Sequence, residues 1–149
     1  MGTHSITPLA RLTGPASAVH AIDLLPAPSD DFARVSARAQ ALGTSITYHQ
    51  VDVRDNAALN TTISSLGPIH GLIAAAGIQQ ETPALEYTPA DANRMFEVNI
   101  TGVFMTAQAV AKAMIRHGTA EGGSMCLIAS MSGTIANKVG GEEDIPLAE

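Results

Sequence analysis

The residues of this chain that could do chemistry stand in a few short stretches, most of them just after an apolar run. Ala75-Ala76-Gly77 closes the run that opens at Gly71, and Ser130-Met131-Ser132-Gly133 closes the one that opens at Ser124. A hydroxyl in that place can polarise a substrate oxygen, although a lone serine after a strand is more often structural. Asp23 follows Ala18-Val19-His20-Ala21-Ile22, and Asp52-Val53 ends the run from Ile46. A carboxylate there either accepts hydrogen bonds from a ligand or simply begins a loop. Asn99 sits among Val98, Ile100 and Val103, where an amide without partners costs about 1–3 kcal/mol, so it must be tied to a strand, a water or a ligand.

Metal and thiol chemistry are not indicated. His4, His20, His49, His70 and His117 show no i, i+4 spacing and no carboxylates in a ligand pattern, so no metal is expected. Cys126 is the single cysteine and lies inside the apolar run Met125–Ala129, which predicts a packed thiol rather than a nucleophile.

The elements that must position these residues alternate along the chain. A strand over Ala18–Leu24 is broken by Pro26–Asp30. Ser29 is then placed to cap a helix with Asp30 and Asp31 in its first turn, Phe32, Val35, Ala39 and Leu42 toward a sheet, and Arg34 and Arg38 on a solvated face. Gly43 closes that helix, and Ile46–Val53 forms the next strand. Asp55 caps a helix carrying Leu59, Ile63 and Leu66, Gly67-Pro68 ends it, and His70–Ala76 is a third strand. Thr88-Pro89-x-Asp91 supplies a hydroxyl cap, a first-position proline and a first-turn carboxylate. The helix that follows places Phe96, Ile100, Val103, Phe104, Ala107, Ala111 and Met114 on one face, expected to be mostly core, and runs to Gly118. Ser124–Ser130 is the last strand. Strands and helices in this order predict an α/β, doubly wound, parallel Rossmann-like sheet, whose ligand sites lie beyond the carboxyl ends of its strands.

Of the 149 residues, 46% are hydrophobic and 15% charged, enough apolar material for one cored domain. The organisation expected is an irregular tail over 1–17, a partial Rossmann-like domain over 18–138 and an acidic irregular tail over 139–149. A net charge of -6 without a Lys/Arg cluster argues against nucleic-acid partners and anionic membranes. Purely apolar runs fall far short of the 18 or so residues of a membrane span, which gives the expectation of a cytoplasmic protein.

These residues together resemble the short-chain dehydrogenase/reductase family. Its Asn-Asn-Ala-Gly strand end is similar to Ala74-Ala75-Ala76-Gly77, its helix asparagine to Asn99, and its Ile-Ser-Ser-x-x-Gly strand to Ile128-Ala129-Ser130-Met131-Ser132-Gly133. The resemblance implies a nicotinamide cofactor, with Asp23 on the adenosine ribose hydroxyls (favouring NAD over NADP), Asp52-Val53 beside adenine, and Ala75, Ala76 and Gly77 also against the cofactor. It implies Ser130, with Ser132 as the alternative, as the catalytic serine, and Asn99 as the residue that holds a relay water. Ile78-Gln79-Gln80 and Thr134-Ile135-Ala136-Asn137-Lys138 resemble the fungal-type polyol and sugar reductases, implying a small polyol or sugar substrate.

Two parts of the family pattern are missing from the 149 residues. No G-x-x-x-G-x-G turn occurs, although Leu12-Thr13-Gly14 resembles its opening, and no Tyr-x-x-x-Lys follows Ser130, the tyrosines being Tyr48 and Tyr87. The expectation is a member truncated at both ends, with weak or absent cofactor binding and no turnover. It would self-associate or aggregate through the 89–117 helix. The alternative is a non-catalytic module that pairs with a full-length relative through that helix.

Overall fold

Alternation of Val, Ile and small residues over Ala18–Asp23 (β1) and Ser45–Gln50 (β2) produces two parallel strands, with Val19 opposite Ile46 and Ile22 opposite His49. The structure, a computed structural model, describes residues 16–130. The Leu12-Thr13-Gly14 remnant, Ser132, Gly133, Lys138, all but the last two residues of the 1–17 tail and the whole 139–149 tail lie outside them. Gly71–Ala74 (β3) pairs in parallel with Ser124–Leu127 (β4), Leu72 opposite Met125. Each ladder continues by one bond past its strands: Val51 N–H to the Asp23 carbonyl at 2.9 Å, and Ile128 N–H to the Ala74 carbonyl at 3.0 Å. Among the described residues the strands form two two-stranded sheets, with no pairing between β1 and β3.

Helices Asp31–Gln40 (α1) and Asn56–Ser65 (α2) cross between parallel strands, and Pro89–Phe96 (α3), a π-helical turn over Glu97–Gly102 and Val103–His117 (α4) follow β3. Alternation sends Val19 and Ile22 to opposite faces of β1. On one side Val51, Leu59, Ile63, Ala109, Val110, Ala113 and Met114 form the core, joined by Ile22 and Leu72, so α2 and α4 cover both ladders. Val19, Val35 and Ala39 are buried outside that cluster, and α1 contacts β2. The result is the doubly wound arrangement read from the sequence.

Most local signals act as their chemistry requires. The Asp55 carboxylate accepts the Ala57 and Ala58 N–H groups at 3.1 and 3.0 Å, and the Thr88 hydroxyl accepts the Asp91 N–H at 3.2 Å. Gly118 ends α4 at φ 70°, a left-handed conformation that costs glycine little.

Four expectations are corrected. Ser29 does not cap α1: the helix starts at Asp31, its cap position is Asp30 in helical conformation, and Ser29 contributes its carbonyl to Phe32 N–H. Asp31 turns instead to Arg34 at 2.8 Å, because an exposed guanidinium lies one turn away. Leu42 is 40% exposed, since it lies beyond the end of α1. Cys126 is exposed rather than packed. It shares its face of the second ladder with Ile73, itself 37% exposed, and no described helix covers that face.

The fourth correction concerns the long helix. Phe96, Ile100 and Phe104 are 56%, 60% and 60% exposed, and the core is met by Met114, as expected, together with Gly102, Thr106, Ala109, Val110 and Ala113. A π turn inserts an extra residue, so the face that leads inward changes across Glu97–Gly102 and the simple helical period fails there. From Pro89 to His117 the helix is long and apolar enough to span a bilayer by length and composition alone, but α4 packs on α2 and β3.

Candidate active site

Every sequence-derived site residue in the described region falls at the same end of the parallel strands. Asp23 is the last residue of β1, Asp52 and Val53 lie two and three past β2, Ala75 to Gly77 follow β3, and Ser130 stands three past β4. This is the end at which doubly wound sheets bind ligands, and the shared direction of the strands puts all four loops there.

Asn99 is the best defined of these groups. Its Oδ1 accepts the Ile78 N–H at 2.8 Å and its Nδ2 donates to the Ile78 carbonyl at 2.9 Å, so one half-buried amide satisfies both backbone groups of the residue after Gly77. That resolves the requirement for partners, and it fixes the loop beyond β3 against the π turn. The structural role anticipated for Asn99 is present. Gly77 approaches the same Oδ1, a Cβ built there lying 3.5 Å from it.

Asp52 is engaged with its own loop. Both carboxylate oxygens accept from the Arg54 guanidinium, at 3.0 Å from Nε and 2.6 Å from Nη2, and Oδ1 also accepts the Arg54 N–H at 2.9 Å. The guanidinium therefore holds the Asp52 carboxyl below its ordinary value. Glu97 of the π turn adds its field at Arg54, whose guanidinium is held above its ordinary value chiefly by Asp52. Val53 packs on the same turn: a Cβ on Gly102 would meet Val53 Cγ2 at 2.6 Å and Cβ at 3.1 Å.

Asp23 lies beside that loop, its carbonyl bonded to Val51 N–H. Partial burial works to raise its carboxyl, but accepted hydrogen bonds, among them Leu25 N–H at 3.2 Å, hold it below its ordinary value. The Tyr48 hydroxyl donates to the Leu25 carbonyl at 2.7 Å and steadies the loop that carries Asp23. In the sequence Tyr48 stands out only as a tyrosine upstream of Ser130.

The structure thus brings Asp23 near the Asp52-Val53 loop, Val53 onto Gly102, and Asn99 onto Ile78. Sequence reading missed Arg54, Glu97 and Ile78 as partners, and it missed a histidine pair in which His20 Nδ1 lies 2.9 Å from His49 Nε2 across the first ladder. Burial first, then His49, pushes the His20 imidazole down. The signal available for that pair was positional: both are mid-strand residues of neighbouring parallel strands. Among the described residues no group of three or more His, Cys, Asp or Glu could hold a metal ion.

A nicotinamide dinucleotide fits these residues in part. A carboxylate at the end of β1 and an apolar wall at Val53 suit an adenosine, whereas no described loop supplies a glycine-rich turn for pyrophosphate.

Parallel strands wound with helices on both faces, with carboxylates, small residues and a serine at their carboxyl ends, define a Rossmann-like nucleotide-binding domain. The chain belongs to the short chain dehydrogenase family, whose model matches residues 20–141. It is 34% identical over 123 residues to a short chain dehydrogenase/reductase of Aspergillus versicolor, covering 78% of this chain and 41% of that one. With a ribulose-forming D-arabinitol 2-dehydrogenase of Candida albicans the figures are 35% over 91 residues, 58% and 32%. Among solved structures, carveol dehydrogenase from Mycobacterium avium in complex with NAD superposes with a TM-score of 0.75 at 27% identity, over 93% of this chain and 54% of that one. The chain spans less than half the length of these curated relatives.

Proposed function

We propose that these residues form the adenosine side of a nicotinamide-nucleotide site and the serine and asparagine side of an oxidoreductase site for a polyol or sugar. The observation that carries the reading is the double hydrogen bond from Asn99 to Ile78, which fixes the loop after Ala75, Ala76 and Gly77 where a cofactor would lie against it. Asp23 accepts hydrogen bonds from the ribose hydroxyls and repels a 2′-phosphate, so NAD is favoured over NADP. Val53 borders the adenine. Asp52 contributes there only by exchanging part of its contact with Arg54. The cofactor, when bound, supplies the hydride chemistry. Ser130 polarises the substrate oxygen, and Asn99 holds the relay water. The polyol class is supported by the identity to the D-arabinitol dehydrogenase.

The 149 residues alone are proposed not to turn over. They contain no Tyr-x-x-x-Lys to move the proton and no glycine-rich turn to hold the pyrophosphate, and general acid catalysis alone contributes typically 10²- to 10⁴-fold. Absorbance at 340 nm with NADH, NADPH and a panel of ketoses should stay at background, and turnover that vanishes in Ser130→Ala would overturn this. A shift titration with NAD should locate weak, adenosine-directed perturbations at Asp23 and Val53. Micromolar affinity by calorimetry would contradict the weak site proposed here.

The exposed stripe Phe96, Ile100 and Phe104 favours a second reading, a non-catalytic module that docks this helix on a full-length relative. Co-purification of the two chains, lost in Phe104→Glu, is the result that this reading requires.

A further inference from the structure

The π turn touches the nucleotide end of the site as well as the catalytic end, and the contact at the nucleotide end is made by a residue with no side chain. Gly102 is buried in the last position of the turn. A methyl group at its Cα would come within 2.6 Å of Val53 Cγ2, 3.1 Å of Val53 Cβ and 3.2 Å of the Glu97 carbonyl. Carbon pairs prefer about 3.5–4.0 Å, so roughly 1 Å of retreat would be required. Rotating Val53 does not relieve the contact, because its Cβ is itself too close and a β-branched residue has few alternative rotamers. The helix is poorly placed to yield. The Thr106 hydroxyl donates to the Gly102 carbonyl at 2.7 Å in a buried bond, and Thr106 lies within the α4 stretch that carries the core residues Ala109 and Val110.

We propose that Gly102 is a positioning residue, through which the π turn sets Val53 against the nucleotide base. The same turn holds Ile78 through Asn99, so one rigid element registers the loop after β2 with the loop after β3. The proposal rests on the reading of Val53 as an adenine contact, and it assigns a cause to that contact: the base is met where it is because Gly102 lets the β2 loop seat fully.

The test is a double-mutant cycle on the whole chain, with 5′-AMP as the probe in an NMR shift titration and thermal unfolding as a second readout. Gly102→Ala should weaken AMP binding at least about fivefold, the loss expected when van der Waals contacts to the base are displaced. Val53→Ala removes Cγ2, the 2.6 Å contact, and leaves the milder ones at 3.1 and 3.2 Å, so adding Gly102→Ala to it should cost much less in AMP affinity and in unfolding midpoint than the same substitution costs in the parent. A generic loss of stability would instead act additively in both backgrounds. Gly102→Ala binding AMP within twofold of the parent, or losing the same factor with and without Val53, overturns the proposal. If the parent chain does not bind AMP, the adenosine reading falls, and the coupling of Gly102 to Val53 is decided by the midpoints: suppression by Val53→Ala supports it and additivity overturns it. Should Gly102→Ala alone fail to fold, the double variant must fold, and its failure also overturns the proposal.

Discussion

Removing the Asn99 amide should loosen the site more than its half-buried position suggests. Asn99→Ala deletes hydrogen bonds of 2.8 and 2.9 Å and leaves both the N–H and the carbonyl of Ile78 without their partner. Each bond contributes about 0.5–1.5 kcal/mol net, and a buried group left unsatisfied costs about 1–3 kcal/mol. Water reaches part of this site, so the expected loss is about 2–3 kcal/mol, or roughly 6–12 °C in the unfolding midpoint for a chain of this size. Asn99→Asp separates the two bonds. It keeps the acceptor for Ile78 N–H but sets a carboxylate oxygen against the Ile78 carbonyl, which disfavours the charged form. The introduced carboxyl then has a folded-state pKa above its unfolded value near 3.9. Its stabilising contribution is fully present below that unfolded value and is lost as pH rises through the folded value. Calorimetric melts from pH 3.5 to 8, each referred to the parent, measure this. A midpoint within 2 °C of the parent for Asn99→Ala, at the accuracy of such melts, or an Asn99→Asp variant with no pH-dependent deficit, would refute the clamp.

Further outcomes follow from other contacts. If NAD and NADP binding are both measurable, Asp23→Ala should narrow the preference for NAD, because the repulsion of a 2′-phosphate is removed; an unchanged ratio in paired titrations would place Asp23 outside the site. The Asp52 carboxyl, held down by Arg54, contributes stability above its unfolded pKa that is lost as pH falls through the folded one. Its NMR titration midpoint should therefore rise in Arg54→Gln. The stripe of Phe96, Ile100 and Phe104 should drive self-association at tens of micromolar. Light scattering should report a smaller species for Phe104→Glu, and a monodisperse parent monomer would contradict this.

Much of the frame could be read directly, because the signals involved are local. Asp55 and Thr88-Pro89-x-Asp91 cap their helices through atoms two or three residues away, and Leu59 and Ile63 face inward by simple helical period. Asn99 was recognisable as an amide needing partners, although not that Ile78 would provide both of them. What stayed hidden depends on distant or absent neighbours. The π turn has no composition of its own, so the reassignment of Phe96, Ile100 and Phe104 to the surface was invisible in a 3.6-residue period. Cys126 lies in an apolar run that promises burial, but burial is set by what covers the strand. The bond between Asp52 and Arg54 spans only two residues, and the family pattern drew attention to the aspartate as a ligand contact rather than to its neighbour.

The division of the strands into two ladders bears on how this chain opens. Among the described residues the ladders share no strand pairing, and the side-chain layer of α2 and α4, built on Leu59, Ile63, Val110 and Met114, reaches across both. A two-stranded ladder is marginal by itself, and four-residue β4 has Met125 and Leu127 at 44% and 51% exposure. Amide exchange should therefore be graded rather than uniform, fastest in β4 and slowest along the inner turns of α2 and α4, with the seam between the ladders as the plane along which partial unfolding begins. Asp23 lies on one side of that seam and Ser130 on the other, so such an opening separates the nucleotide end of the site from the catalytic end.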